Sequence, residues 1–486
     1  MMTTTPSTPR NVVDLERTNK AYVWTVSLVA AMGGLLFGYD WVVIGGAKPF
    51  FEKYFELNSE GLSGWANSCA LVGCLIGSLV TGVLSDKLGR KKLLLASAFL
   101  FAVSSVMTGL AHNFQAFVCW RIIGGIAIGM ASALSPMYIA EIAPASMRGR
   151  LVSLNQLMIV IGILAAQVVN FLIARPVPND ATVAMIGQSW NGQVGWRWMF
   201  AAVAVPSVFF FIGGLLVPES PRWLIKNGLP ERAQKVLTRL GGAAYAENEI
   251  RDVQATLAAG EIQQVRFQDL LEPQLAKPLL IGCGLAVLQQ WCGINVMFSY
   301  AEEIYRQAGY GVNEILFDIV CTGSVFFLFT LVALATVDKL GRRLLMLFGC
   351  GGLCLSHLFI GIAYSLHWKG LFVLVFTLAA IGCYAMSLAP VTWVLISEIF
   401  PNRIRGAAMS VSVTALWVAC FILTYVFPML NHWLGSANTF WLFSAVCALG
   451  LVFIALCVPE TKGRTLEQIE SGIQLGRQEA DTFIKI

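Results

Sequence analysis

The sequence predicts an all-α membrane protein, with twelve transmembrane helices in two pseudo-symmetric six-helix halves and a cytoplasmic helical linker between them. Three observations carry this. The 486 residues are 57% hydrophobic and only 13% charged, with a mean hydropathy of +0.70, whereas soluble chains carry roughly 25% charged residues. Apolar runs long enough to cross a bilayer, which takes roughly 20 residues, recur twelve times along the chain. The polar loops between them repeat their motifs six spans later.

In chain order, residues 1–21 form a polar tail with Pro6, Pro9, Arg10, Arg17 and Lys20. They lack the short apolar core and small-residue cleavage site of a signal peptide. The first apolar segment is therefore expected to be a retained helix. The N-terminal half, 22–217, is predicted to hold spans at about 22–47, 62–84, 93–111, 115–139, 151–174 and 197–217. A polar, charge-rich linker follows over 218–276, with an amphipathic helical pattern in 231–259 that starts at Pro230-Glu231. The C-terminal half, 277–458, is predicted to hold spans at about 277–301, 314–336, 343–364, 370–396, 404–430 and 437–458, before a tail over 459–486. Basic residues set the orientation, because short cytoplasmic loops collect Lys and Arg. With the N-terminus inside, the inner loops hold eleven, Lys87 to Lys92 and Arg342-Arg343 among them. The outer loops hold five: Lys48, Lys53, Arg175, Arg306 and Lys369. Both termini and the linker are then cytoplasmic, and the chain is expected as a multi-pass protein of the cell membrane, the inner one in a Gram-negative cell.

Several function classes are disfavoured. The net charge of +5 is modest and spread through loops, which fits topology rather than nucleic-acid binding. The 12 cysteines lie in or at the ends of apolar segments without a CxxC pair, so they read as small buried hydrophobes rather than metal ligands or disulfides. His112, His357, His367 and His432 lack metal-ligand spacing and read as loop or packing residues. No GxxxxGK[ST] loop marks an ATP motor, and no Ser/His/Asp or metal constellation marks an enzyme. No cofactor or metal is expected.

The loop repeat is specific. Gly82-x3-Asp86-x2-Gly89-Arg90-Lys91 follows span two, and Asp338-x2-Gly341-Arg342-Arg343 follows span eight. Glu141-x6-Arg148-Gly149 after span four returns as Glu398-x6-Arg405-Gly406 after span ten. Pro218-Glu219-Ser220-Pro221-Arg222-Trp223 after span six returns as Pro459-Glu460-Thr461-Lys462-Gly463-Arg464 after span twelve. Two halves related this way place a binding site at their interface near mid-membrane. The charges Asp86, Arg90, Glu141, Arg148, Glu219, Arg222, Asp338, Arg342, Glu398, Arg405 and Glu460 all fall at helix ends on one face. Opposite charges there are expected to bridge the halves as a cytoplasmic gate. Positive-inside topology alone is the plainer reading of the same residues.

Inside the first span, Asp40 interrupts an apolar run that continues from Trp41 to Ala47. A carboxylate at bilayer depth is costly unless paired, hydrated or protonated. Either it reaches water at a helix end, or it serves a function. Arg121, early in span four, is the matching cation, and Asp40 is the only acid within the first-half spans. The two are expected to pair when Asp40 is ionised and to part when it is protonated; the alternative is that Arg121 snorkels to the outer interface. Amides mark a second site. Gln156 lies in span five, and Gln289, Gln290 and Asn295 lie in span seven. A carboxamide both donates and accepts, as a sugar hydroxyl does. At 100° per residue, Gln289 and Tyr300 share one face of span seven while Asn295 shares another with Ser299. Aiming them at one ligand calls for an unwound turn, which Gly293 permits. Trp393 and Trp417 offer flat apolar faces, with helix packing as the other reading. Gly34-x3-Gly38, Gly73-x3-Gly77 and Gly125-x3-Gly129 suit close helix contacts, and Pro136 and Pro390 are expected to kink spans four and ten at equivalent places.

The GR[RK] loops, the PESPRWL and PETKG segments and GGLLFGYD in span one resemble the major facilitator superfamily, and within it the sugar porter family, over residues 20–470. Bacterial proton-coupled xylose, arabinose and galactose symporters are the subgroup it most resembles. The resemblance implies the major facilitator fold. It implies proton coupling through Asp at position 40, and sugar contacts at Gln156, Gln289, Gln290, Asn295, Trp393 and Trp417. It also departs from that pattern. Span six carries no acid near Val203. Phe326, Leu416 and Cys420 stand where relatives often carry amides, and Leu388-Ala389-Pro390 replaces Trp-Gly-Pro. The pocket is therefore expected to be more apolar on its C-terminal side, suiting a sugar with fewer hydroxyls there, such as a deoxy-sugar. The expected function is import of a monosaccharide (pentose, hexose or deoxy-sugar) by proton symport through alternating access. A facilitative uniporter and a non-transporting sugar sensor are the alternatives. The expected partners are the sugar, protons and the lipid bilayer, with no nucleic acid, and the chain is expected to work as a monomer.

Overall fold

The structure is a computed structural model that describes residues 19–178, 183–258, 275–368, 370–400 and 405–462. Most of the 1–21 and 459–486 tails lies outside them, as do the side chains of Asp338 and Arg405. Eleven helices among the described residues are long and apolar enough to cross a membrane. The last, Ala407–Cys457, is 51 residues long. At 1.5 Å per residue that is roughly 75 Å, far more than a hydrocarbon core of about 30 Å. Gly435 resolves this. Its φ of 75° and ψ of 159° are non-helical, so spans eleven and twelve meet there in a turn that favours glycine.

The first half comprises Lys20–Tyr54, Glu60–Leu88, Arg90–Gly109, Phe114–Ile142, Arg148–Ile173 and Asn191–Leu216. Side chains cap these helices where polar residues precede the apolar run. Ser59 accepts from Leu62 N–H and Asn113 from Ala116 N–H, each satisfying an orphan donor of the first turn. Span one runs beyond its predicted end at 47, through Lys48, Pro49, Glu52 and Lys53 to Tyr54. The reading that placed Lys48 and Lys53 in a loop is thereby corrected. A charged residue stops an apolar run but not a helix, provided the charge finds partners.

The second half comprises Ala276–Ser299, Val312–Val337, Arg342–Ser365, Leu371–Glu398 and the bent pair above. Span seven breaks between Trp291 and Ile294, with Gly293 at φ +87°. His357 Nε2 meets the freed carbonyl of Cys292 at 2.7 Å, so this fully buried histidine closes the break. Span ten breaks at Ser387, between Leu371–Met386 and Leu388–Glu398. Pro390 lies three residues on; it has no N–H to offer the carbonyl one turn back. Span four, by contrast, runs through Pro136 without interruption, so the expected equivalent kinks are not equivalent.

Between the halves, the predicted single helix of the linker is two, Pro230–Gly241 and Ala243–Ala258, preceded by Pro221–Lys226. Leu237 and Leu240 pack inward, and Asn19 N–H donates to Leu240 C=O, tying the start of span one to the linker. Within the first half, spans two and four approach so closely that a Cβ on Gly125 would fall onto the carbonyl of Ala70. Spans one and seven, two and eleven, and five and eight join the halves.

Candidate substrate and proton site

Span one presents Asp40 to span four. The carboxylate is 4% exposed and Arg121 is 3% exposed. Arg121 Nη1 donates to Asp40 Oδ1 at 2.6 Å, and Nη2 reaches the Asp40 carbonyl at 3.4 Å. The guanidinium also lies 5.2 Å from the ring centre of Phe200 in span six, and its Nε is buried without a partner. Asp40 can come this close to span four because Gly124 faces it; a side chain there would meet Oδ2 at 3.2 Å. A charge pair so buried costs several kcal/mol of desolvation per ion. One proton on Asp40 removes half of the charge and most of Arg121's reason to stay.

The amides of span seven form a chain. Asn295 Nδ2 donates to Gln290 Oε1 at 2.6 Å, Gln290 Nε2 donates to Gln289 Oε1 at 3.3 Å, and Gln289 Nε2 donates to the carbonyls of Leu388 and Ala389 at 3.0 and 3.3 Å. The break at Gly293 brings Asn295 back onto Gln290, which a straight helix would not do. Gln289 thus anchors the chain to the carbonyls freed near the span-ten break. Cys420 of span eleven accepts from Asn295 at 3.4 Å. Tyr300 is not in this group: its hydroxyl donates to Thr424 C=O at 2.6 Å and its ring packs on Phe427. Trp417 is buried, its Nε1–H has no partner, and its ring faces Phe37 of span one at 6.0 Å. Trp393 is more than a third exposed. Gln156 is half-buried and makes no hydrogen bond among the described residues.

Several of the charged helix ends pair with neighbours of their own half. Arg90 pairs with Asp86 at 3.2 Å and Glu141 at 3.0 Å, and Lys226 pairs with Asp86 at 2.9 Å. Glu219 accepts from the N–H groups of Arg90, Lys91 and Ser220 at 2.9, 3.1 and 2.8 Å. The second half repeats this: Arg342 pairs with Glu398 at 3.3 Å, and Glu460 accepts from the N–H groups of Arg342, Arg343 and Lys462 at 3.0, 3.0 and 2.9 Å. Burial pushes the Glu460 carboxyl up, but these donors outweigh it and hold it below the usual glutamate range. Arg148 and Arg222 line a cavity of about 290 Å³ with Glu141 and the linker's Tyr245 and Glu249. The pairs Arg90–Asp86, Arg90–Glu141 and Arg342–Glu398 lie within one half, and Lys226–Asp86 joins the first half to its adjoining linker. These pairs tie helix ends together within each half.

The bridge is at the other end. Lys48 of span one is 1% exposed and sits among Glu303, Glu52 at 3.2 Å and Glu302 at 3.8 Å. Glu302 and Glu303 belong to Ala301–Gln307, the short helix that follows span seven. Arg306 supports Glu302 at 3.1 Å, Ser63 and Asn67 of span two donate to Glu52, and Lys48 Nζ lies 5.3 Å from the Tyr300 ring centre. Burial pushes the Glu303 carboxyl above the usual glutamate range, against the pull of Lys48. Nearby, Gln167 of span five donates to Thr322 of span eight at 3.3 Å, and Asn313 exchanges two hydrogen bonds with the backbone of Val177. Sequence reasoning missed Lys48, Glu302, Glu303 and Gln167. The charges themselves were visible, but their convergence depends on how spans one and seven cross.

The chain matches the sugar (and other) transporter family over residues 26–472. It belongs to that family. Among similar members, the arabinose-proton symporter of Bacillus subtilis (strain 168) is 36% identical, over 96% of this chain and 99% of the relative. The D-xylose-proton symporter of Escherichia coli (strain K12) is 37% identical, over 93% and 96%. Among solved structures, the xylose transporter XylE from E. coli in a partially occluded inward open conformation superposes with a TM-score of 0.80 at 34% identity, covering 92% of this chain and 100% of that one. XylE bound to 6-bromo-6-deoxy-D-glucose gives 0.77 at 36%, over 93% and 99%. This sugar-family member is therefore a multi-pass membrane transporter of the major facilitator fold, and not an enzyme.

Proposed function

We propose that this transporter imports a monosaccharide by proton symport, with Asp40 as the proton carrier and Arg121 as its counter-charge. The buried 2.6 Å pair between them is the observation that carries the reading. Protonated Asp40 releases Arg121 and spans one and four relax; deprotonation toward the inside restores the pair. Proton-coupled relatives for arabinose and xylose support the class.

The sugar is placed between Gln156, the Gln289–Gln290–Asn295 chain and the free N–H of Trp417, with Trp393 at the margin. Tyr300 holds the pocket's wall through span eleven and does not touch the ligand. On the C-terminal side Phe326 packs on Phe298 and Tyr384, and Leu416 is buried. That wall offers few partners for hydroxyls, which favours a sugar that is apolar there. The charged loops and linker are assigned to the cytoplasmic side, and the Lys48 cluster to the joint between the halves at the outer end.

Proteoliposome uptake tests the assignment. Asp40→Asn is expected to abolish uphill accumulation while exchange of sugar across the membrane continues. Retained accumulation against a gradient would remove Asp40 from the coupling.

A further inference from the structure

Span nine buries a histidine that belongs neither to the amide pocket nor to the Asp40–Arg121 pair. His357 is 0% exposed. Its ring lies against Phe440 and Phe443 of span twelve, with ring centres 5.8 and 5.7 Å away. An apolar side chain would serve for packing there, and an imidazole is costly in such surroundings unless its polar atoms are satisfied. Nδ1 is sealed without a partner. Nε2 meets the carbonyl of Cys292 at 2.7 Å. A carbonyl only accepts, so Nε2 carries the proton. The polar chemistry of His357 is thus committed to one hydrogen bond, at the break in span seven.

The shape of that break depends on the imidazole. Gly293 has a φ of +87°, and a side chain there would meet Cε1 and Nε2 of His357 at 3.0 and 3.1 Å. The ring therefore fills the space beside the left-handed residue. The Cys292 carbonyl has one other neighbour that can donate, the Cys447 thiol at 3.8 Å, and a thiol is a weak donor. Without the imidazole N–H, this buried carbonyl loses its main partner, which favours winding the break back into helix. Winding would separate the amides. Residues five apart on a straight helix lie roughly 140° apart around its axis, whereas here Asn295 Nδ2 reaches Gln290 Oε1 at 2.6 Å.

We propose that His357 is a positioning residue for the sugar. By holding the Cys292 carbonyl it keeps span seven unwound at Gly293, and so sets Asn295 against Gln290. It touches no ligand itself. The inference rests on the reading that Gln290 and Asn295 contact the sugar.

Calorimetry on the purified full chain tests it, with D-xylose or L-arabinose as the probe, whichever binds wild type more tightly. His357→Met is close in volume and has no N–H; it is expected to weaken binding on the order of tenfold. His357→Gln, whose Nε2 can reach the same carbonyl, is expected to recover most of that loss. An equal loss in both variants would contradict the role of the hydrogen bond. The double variant separates positioning from general stability. Because His357 acts through the Asn295–Gln290 contact, His357→Met combined with Gln290→Ala should bind little worse than Gln290→Ala alone, whereas independent sites add their losses. Additive losses would overturn the proposal and leave the pocket reading standing. So would wild-type affinity in His357→Met where Gln290→Ala binds weakly. Unchanged affinity in Gln290→Ala would overturn the pocket reading, and this proposal with it. Should His357→Met not fold, His357→Asn, whose amide stops short of the carbonyl, carries the same expectations.

Discussion

The two ends of the transporter use the same chemistry for opposite purposes. At the basic end, Arg90 and Arg342 bind acids of their own half, and Glu219 and Glu460 cap the helix that follows each Gly-Arg loop. At the other end, Lys48 of the first half is surrounded by Glu302 and Glu303 of the second. The first arrangement is compatible with a rocking motion of the two halves, since its pairs lie within one half. The second spans the two halves, so separating them at that end breaks it. Charge repetition in sequence therefore marks what is rigid, and the unrepeated Lys48 marks what moves.

This contrast can be broken in order of effect. Lys48→Met leaves three carboxylates around an apolar side chain. Removing one partner of a buried pair costs about 3–5 kcal/mol, enough to move a two-state equilibrium by a hundredfold or more. Faster hydrogen exchange in Ala301–Gln307, with unchanged exchange at Arg90 and Arg342, is the expected signature. Gln290→Ala interrupts the amide chain between Asn295 and Gln289. A lost hydrogen bond of this kind costs about 1–3 kcal/mol, so sugar affinity measured by calorimetry should fall on the order of tenfold while the melting temperature moves little. Arg342→Met acts within one half on a part-exposed pair worth about 1 kcal/mol or less. It should lower thermal stability slightly and leave the balance between inward and outward forms unaltered. The smallest effect concerns pH. Because the Glu460 carboxyl is held down in the folded protein, its contribution is complete above the ordinary glutamate value of about 4.3 and fades as pH falls through its lowered value. Glu460→Gln should lower stability slightly at neutral pH, where that contribution is complete, and flatten the acid limb, so that the two proteins converge at low pH.

Much of this was legible in the sequence, for physical reasons that particular residues show. Apolar length located the spans, and Gly293 pointed to the break in span seven because Gln289 and Asn295 lie on different faces of a straight helix. Asp40 and Arg121 stood out because each is costly alone. What was not legible depended on tertiary crossing. Lys48 looked like the end of a span because two of its three acidic partners lie some 250 residues away in the chain; it donates to Glu303 across a separation of 255. That Arg90 and Arg342 pair with acids of their own half was not legible either, because sequence repetition does not say which half a partner belongs to. The span-ten break falls at Ser387 rather than at Pro390 because the proline disrupts the turn before it.

The most direct test of the whole account is sugar accumulation by wild-type protein in proteoliposomes, compared with and without an imposed inward proton gradient. The account predicts accumulation above the outside concentration only when the gradient is present, with proton entry accompanying the sugar. Equal, merely equilibrating uptake in both conditions would contradict proton symport and leave a uniporter in which the Asp40–Arg121 pair is structural.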